Sequence, residues 1–300
     1  MAVIIESAKG GSSVNYQMIP LSAGLYFVGV PIGTARDITL RALDVLASAD
    51  VLAAEDTRSL RKLMDIHGVP LGDRRVLALH DHSGTGAQNK LLAAIRDGKS
   101  VAYASEAGMP LIADPGFELA RGAVAAGLNV TCAPGPSAVL TALALGGLPT
   151  DAFFFAGFLP SSKTARRTSL EALRDIPGTL VFYESPKRLG AMLMDAAQTL
   201  GPERPAAMCR ELTKKFEEIR RGSLKELAEF YENQSIKGEV VVLVDRGRLP
   251  VVSEFDLGVA LEKALTDLSI RDAVDLVSKA HALPRRQVYQ AALALSKGNA

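Results

Sequence analysis

The residues able to do chemistry in this chain sit in short loops that follow apolar runs. Ala54-Glu55-Asp56-Thr57-Arg58 sets two carboxylates, a hydroxyl and a guanidinium side by side, directly after the apolar stretch 51–54. That is more polarity than a buried turn requires and points to a ligand site; the competing reading is a salt-bridged helix cap. Three further loops follow apolar runs in the same half. They are Val28-Gly29-Val30-Pro31-Ile32-Gly33, Ser105-Glu106-Ala107-Gly108-Met109-Pro110 with Asp114-Pro115-Gly116, and Ala133-Pro134-Gly135-Pro136-Ser137. Gly, Pro and small residues leave backbone N–H and C=O groups open, which suits a flat, polar, purine-sized ligand read by the main chain. Each loop alone reads equally as a strand-end turn; their recurrence favours a site. None is a GxGxxG or GxxxxGK[ST] phosphate loop. The second half adds Gly157-Phe158-Leu159-Pro160, Tyr183-Glu184-Ser185-Pro186 and Arg210-Glu211-Leu212-Thr213-Lys214, a candidate opposite wall of a cleft. In His80-Asp81-His82, neighbours on an extended segment point to opposite sides and no third ligand is evident, so no metal is expected. Cys132 and Cys209 fall in apolar runs and read as small buried hydrophobes.

The elements that must position these loops follow from periodicity. Strand patterns occupy 25–30, 51–54, 76–79, 100–104 and 129–132. Between them lie helical patterns at 37–47, 59–67, 91–96, 117–126 and 137–145. The first has Leu40, Leu43 and Ala47 on one face and Thr39 or Asp37 at its start; Gly68 ends the second. Such alternation implies a largely parallel sheet covered on both faces, with ligands collecting at the carboxyl ends of its strands. Gly146-Gly147-Leu148-Pro149-Thr150-Asp151 breaks the pattern. A second alternation follows, with strands at 153–157, 179–183, 206–210 and 239–244 and helices at 165–173, 187–200 and 224–231. The stretch 216–221 is ambiguous, and a strand there would make this half mixed. A linker at 246–251 leads to helical patterns at 259–268 and 270–280, then a helix from Pro284 toward Leu295 with Gly298 just beyond. The tight turn 281–283 and the opening Arg285-Arg286 suit a helix-turn-helix; a plain packing bundle is the alternative. The expected organisation is a flexible tail over 1–20, an α/β domain over 21–147, a second over 148–248 and a helical appendage over 249–300.

Composition sets limits on the partners. The 300 residues carry 34 Lys+Arg against 33 Asp+Glu, a net charge of +1, which excludes a strongly basic nucleic-acid glove. A polyanion must then be held by local patches. Ser161-Ser162-Lys163-Thr164-Ala165-Arg166-Arg167 offers three cations and no acid. Lys163, Arg166, Arg167, Arg285 and Arg286 are the candidate phosphate contacts, with a solvated surface as the alternative. Two cysteines exclude a disulfide scaffold and fit a reducing cytoplasm. No apolar run approaches the roughly 20 residues of a membrane helix, and residues 1–20 do not read as a secretory signal.

The ordered set of loops resembles a known family. Pro31-Ile32-Gly33 with Asp37-Ile38-Thr39, then 54–58, 105–116, 133–139, 157–160, 183–186, 210–214 and 238–241, are similar to the bacterial small-subunit ribosomal RNA 2′-O-methyltransferase I family. That family lies within the tetrapyrrole-methylase superfamily of class III S-adenosylmethionine (SAM) methyltransferases. The resemblance runs from about residue 25 to 245, and the last helices resemble the family's helix-turn-helix appendage. Glu106 and Met109 stand where members often have Asp and Thr. The resemblance implies two α/β domains with SAM folded in the cleft between them, and a cytoplasmic homodimer. It also implies methylation of the ribose 2′-hydroxyl of a cytidine near position 1402 of 16S rRNA in the 30S subunit. Carried over loop by loop, it gives SAM contacts at Pro31, Ser105, Ala107, Gly108, Ile112, Ser137 and Ala138, and at Leu159, Tyr183, Leu212 and Gly238 from the second domain. Methyl transfer to a ribose hydroxyl calls for alignment, removal of a proton and stabilisation of a developing alkoxide. Asp56, Glu55 and Glu184 are the candidate bases, and Arg58 and Lys214, with Lys187 and Arg210, the candidate cations. The competing functions are a methyltransferase for a tetrapyrrole or other small acceptor, and a SAM- or RNA-binding protein without catalysis.

Overall fold

Short Val/Ala/Leu segments with turn residues on both sides build the first sheet. A computed structural model describes residues 14–80, 85–114, 116–247, 254–280 and 285–298. In it β1 (Gly24–Val28), β2 (Val51–Ala54), β3 (Val76–Ala78), β4 (Ser100–Ala104) and β5 (Val130–Ala133) pair in the order β3-β2-β4-β1-β5. Every pairing is parallel, so all five carboxyl ends share one edge. Burial on both faces explains why these strands lack the alternation of a half-exposed sheet. One face packs on α1 (Leu40–Ser48) and α2 (Thr57–Ile66) through Leu43, Leu46, Leu60 and Met64. The other packs on α3 (Thr85–Arg96) and α4 (Phe117–Ala125) through Leu91, Ile95, Leu119 and Ala123.

The helix expected over 37–47 is divided. A 3-10 turn covers Ala35–Asp37, and α1 begins only after Thr39, whose side chain caps it by accepting from the Ala42 N–H. Leu40 is 64% exposed, so it does not share the buried face with Leu43 and Ala47. Residues 14–20 do not hang free as a tail does. The Gln17 N–H donates to Asp44 at 2.6 Å and the Ile19 N–H to Ser48 at 3.0 Å, along α1.

The second sheet contains β6 (Phe153–Phe158), β7 (Thr179–Glu184), β8 (Pro205–Arg210), β9 (Glu218–Ser223) and β10 (Val240–Val244), in the order β6-β7-β10-β8-β9. β6 and β7 are parallel and the remaining pairings antiparallel, which resolves the ambiguous 216–221 stretch as an edge strand of a mixed sheet. α6 (Lys163–Leu173), α7 (Leu189–Leu200) and α8 (Leu224–Tyr231) complete this half. α5 (Ala138–Gly146) follows the first sheet but packs on the second, with Val139, Ala142 and Leu143 against Val181, Ala207, Cys209 and Leu243. Ile32 and Leu212 join the same cluster. The described residues up to 173 together with 178–245 form one compact unit on this shared core.

The remaining unit holds α9 (Glu254–Leu265), α10 (Ile270–Ala280) and α11 (Arg285–Gly298), packed through Leu257, Leu261, Val274, Val277, Val288 and Ala292. Ser269 caps α10 by accepting from the Asp272 N–H at 3.3 Å. Gly298 is inside α11 rather than beyond it. The 281–283 turn, Pro284, residues 248–251 of the linker, residues 1–13, Asp81, His82 and Pro115 lie outside the described residues.

Candidate functional site

Parallel strands deliver the loops after β1, β4 and β5 to one edge, where they close on each other. Val30 and Gly108 exchange both backbone hydrogen bonds, at 2.9 and 3.1 Å. Gly29 and Gly135 are in near contact: a Cβ on Gly135 would stand 2.9 Å from the Gly29 carbonyl carbon. Their missing side chains serve the packing of loop on loop, not the approach of a ligand. The second half meets this edge through residues 211–214. The Thr34 N–H donates to Thr213 Oγ1 at 3.2 Å, and a Cβ on Gly33 would lie 2.5 Å from that oxygen. Four non-glycine residues hold left-handed backbone here: Leu111 (φ 73°) and Ala113 (61°) on one wall, Glu211 (51°) and Thr213 (63°) on the other. Each such residue costs about 1–3 kcal/mol unless its surroundings hold it, and such strain gathers at functional sites.

Between the walls lies a cavity of about 440 Å³. It takes in eight of the eleven residues expected to hold a cofactor: Ala107, Gly108, Ile112, Ser137 and Ala138 from the first half, and Tyr183, Leu212 and Gly238 from the second. Pro31 and Ser105 instead line a smaller hollow of about 230 Å³ beside α2, with Glu106, Ser59 and Lys62. Leu159 is buried and does not line the cavity; its carbonyl accepts from Arg188 at 2.5 Å. Sequence reasoning gave no cofactor contact to Ile32, Met109, Ala113, Asp114, Phe158 or Glu239, which also line it. Most of them belong to the strand-end loops all the same. The left-handed turn at Ala113 has no glycine to announce it.

Among the described residues the lining carries three carboxylates, Asp114, Glu184 and Glu239, and no Lys or Arg. Burial, with Asp114 and Glu239 nearby, pushes the Tyr183 phenol up to about 12, so it faces the cavity uncharged. Its ring packs edge-on against Phe155 and Phe158.

The five candidate catalytic residues separate. Glu184 is in the cavity wall with its side chain fully buried. Its Oε1 accepts from the Ser185 N–H at 2.7 Å and lies 3.2 Å from Arg188 Nε; its Oε2 has no partner. Burial raises its pKa above the usual carboxylate range. Asp56 is the N-cap of α2, accepting from the Arg58 N–H at 2.8 Å and from Ser59 at 3.2 Å. The Arg58 N–H bond lowers its pKa, so it is a weaker base than a free carboxylate, and it caps α2. Glu55 Oε2 accepts from the Glu106 N–H at 3.1 Å, and neither Glu55 nor Arg58 lines the cavity. Arg58 is exposed, 3.5 Å from Asp56. Lys214 spans Glu211 at 3.0 Å and Glu239 at 2.6 Å. Desolvation lowers its pKa, but these two acids outweigh it and the net shift is upward. It therefore neutralises the protein's own acids.

The candidate RNA cations separate as well. Arg166 is buried, bound to Asp195 at 2.6 and 2.8 Å and to the Ser161 carbonyl at 3.0 Å. Arg167 reaches the other Asp195 oxygen at 2.7 Å and also Gln198. Arg166 is a buried, fold-holding ion pair, which corrects its reading as a phosphate contact, and Arg167 is committed to the same carboxylate while its side chain stays 38% exposed. Lys163 is exposed at the start of α6. In the helical unit Arg285 pairs with Asp275, and Arg286 is exposed. Burial pushes the Cys209 thiol up to about 11 and raises that of Cys132, in keeping with inert side chains.

Comparison with known proteins places this geometry. The family model of tetrapyrrole (corrin/porphyrin) methylases matches residues 24–228, and that of the RsmI C-terminal HTH domain matches residues 256–296. A ribosomal RNA small subunit methyltransferase I of Mesorhizobium japonicum is 51% identical over 226 residues, 75% of this chain and 76% of that protein. Its namesake in Mycobacterium bovis is 44% identical over 91% of this chain and 96% of its own length. Among solved structures, uroporphyrin-III-C-methyltransferase of Thermus thermophilus superposes with a TM-score of 0.53 at 23% identity, covering 75% of this chain and 95% of that one. Diphthine synthase gives 0.57 at 17% identity, covering 74% and 89%. The structural likeness fixes the fold; the sequence identity, carried through both the cleft and the C-terminal helices, shows that the chain belongs to the ribosomal RNA small subunit methyltransferase I family.

Proposed function

We propose that this chain transfers a methyl group from SAM to the ribose 2′-hydroxyl of a cytidine near position 1402 of 16S rRNA in the small ribosomal subunit. One observation carries the reading: 44% identity over 276 residues, through cleft and helical unit alike, with a protein named for small-subunit rRNA methylation. The cavity agrees with the donor. Its volume suits a ligand of that size, and its small-residue walls suit an adenosine. Three acids and no cation among the described residues of the lining suit a chain bearing a sulfonium. Ala107, Gly108, Ile112, Ser137 and Ala138 would hold it from one side, and Tyr183, Leu212 and Gly238 from the other. When bound, SAM supplies a methyl group that is already electrophilic, so no covalent enzyme intermediate is needed. The protein's own residues align the acceptor oxygen, exclude water and remove one proton.

RNA phosphates meet exposed cations outside the cavity. Of the five cations expected at phosphates, Lys163 and Arg286 keep that role, and α2 adds Arg58, Arg61 and Lys62 on its exposed side. The reading includes a homodimer working in the cytoplasm, and a division of labour between two α/β halves meeting near residue 147 and a helical appendage from about residue 249. The test is a transfer assay with methyl-labelled SAM, offering assembled 30S subunits, bare 16S rRNA and a porphyrinogen in parallel. Label in the ribosomal arms supports the reading. Label only in the porphyrinogen, or none anywhere from a protein that binds SAM, overturns it.

A further inference from the structure

The hollow beside α2 shares its walls with the larger cavity. In the loop after β4, Ser105 and Glu106 line the hollow, whereas Ala107 and Gly108 line the cavity. In the loop after β1, Pro31 and Gly33 line the hollow, whereas Ile32 lines the cavity. The paired hydrogen bonds of Val30 and Gly108 tie the two loops together. The same two loops thus wall both spaces, and an occupant of one lies next to an occupant of the other. At about 230 Å³ the hollow is smaller than the roughly 300 Å³ at which sites for whole small molecules begin, and it suits a single planar base.

Hydrogen-bond acceptors dominate its polar lining. Ser59 gives its proton to Asp56 at 3.2 Å, and Ser105 gives its own to the Ala107 carbonyl at 3.2 Å, so both hydroxyls keep only lone pairs for a ligand. The Glu106 carboxylate also lines the hollow, and among the described residues it has no hydrogen bond or ion pair. Glu184, Glu211 and Glu239, by contrast, each face an Arg or Lys of the protein. The backbone of Glu106 is fixed, because its N–H donates to Glu55 Oε2 at 3.1 Å. Pro31, Leu63 and the exposed Ile66 supply apolar surface for a ring. Lys62 stands at the side of the hollow and is exposed, as are Arg58 and Arg61 on the same helix. We propose that this hollow receives the base of the acceptor nucleotide and that Glu106 reads it as cytosine. The inference rests on the methyl transfer to RNA proposed above. Bases of unpaired RNA are recognised by stacking and by hydrogen bonds to their Watson–Crick edges. Cytosine carries an amino group at N4, which donates to a carboxylate; uracil carries a carbonyl oxygen at that position, which a carboxylate repels. Glu106 accepts from the N4 amino group, the α2 cations meet the flanking phosphates, and the ribose lies at the shared wall beside the methyl donor.

The experiment measures single-turnover transfer from labelled SAM to 30S subunits reconstituted with 16S rRNA that carries either C or U at the methylated position. The full-length wild type should favour C by about ten-fold or more, the discrimination one good base contact supplies. Glu106→Gln keeps the size of the side chain, but its amide can accept from an amino group or donate to a carbonyl. Its C-over-U ratio should therefore fall by about ten-fold, with calorimetric SAM affinity and melting temperature close to wild type. A residue that only held the loop would slow both substrates alike and leave the ratio intact; that outcome overturns the proposal, and so does a wild type indifferent to C and U. Ala35→Leu adds bulk to the hollow from a residue that does not line the larger cavity. It should abolish transfer to the C-bearing subunits while SAM still binds, and transfer at the wild-type rate would overturn the placement of the base. If Glu106→Gln does not fold, the wild-type ratio and Ala35→Leu decide. Failure of the wild type to label either kind of subunit counts against the proposed function instead.

Discussion

Asp195 holds two guanidiniums that look, in the sequence, like free cations. Its partners Arg166 and Arg167 lie 29 and 28 positions away, so no local pattern announces the pairing. Burial pushes the Asp195 carboxyl up, and the hydrogen bonds and charges of Arg167 and Arg166 together outweigh it, leaving it below the usual range. Its folded pKa is thus below the unfolded one. The stability it contributes is complete above the unfolded pKa and is lost as pH falls through the folded value. Asp195→Asn should destabilise the protein by about 3–5 kcal/mol at neutral pH, the cost of stranding a buried charge, with the gap to wild type closing in strong acid. Urea unfolding at both pH values checks this. Asp56 raised the same question, since a carboxylate before a helix is a base or a cap depending on where its oxygens point. Asp56→Ala should lower the melting temperature while the folded protein keeps its rate of methyl transfer; a large loss of rate in a well-folded variant would return Asp56 to the chemistry. Glycine is equally two-faced. Gly135→Ala pushes a Cβ into the Gly29 backbone and should cost about 1–3 kcal/mol of stability, read by thermal melting.

At the scale of elements, most strands and helices were legible because a buried parallel sheet forces apolar runs and its covering helices force a 3.6-residue stripe. The edge strand Glu218–Ser223 was legible only from its position after another strand, since Glu-Ile-Arg-Arg-Gly-Ser shows neither a buried run nor a clean alternation. The helix expected over 37–47 started late because Thr39, not Asp37, supplies the cap. Chain order hid the allegiance of α5, whose apolar surface serves the second sheet. The loops of the site were legible as loops. Which side chains enter the cavity was set by left-handed turns at Leu111, Ala113, Glu211 and Thr213, residue types that do not advertise such backbone. The cations on α2 carry a prediction at this scale. Arg58→Ala/Arg61→Ala/Lys62→Ala should weaken 30S binding and flatten its log–log salt dependence by roughly one unit for each phosphate no longer neutralised, with SAM affinity unchanged. An unaltered slope would remove α2 from the RNA surface.

Over the whole molecule, the core shared by α5, Ile32, Leu212 and the second sheet makes the described residues up to 173, together with 178–245, one folding unit, with the last helices clustering separately around Leu261 and Val274. A chain ending at Asp245 should therefore fold and bind SAM like the full chain while binding 30S subunits more weakly, as calorimetry and a filter-binding titration would report. The central claim concerns which atom of which nucleotide receives the methyl group. It is tested most directly by incubating the full chain with SAM and unmethylated 30S subunits, then digesting the 16S rRNA to nucleosides for mass spectrometry and mapping the site on the intact RNA. The account predicts one new 2′-O-methylcytidine, near position 1402. A methyl group on a base, or on the ribose of a different nucleotide, would contradict it.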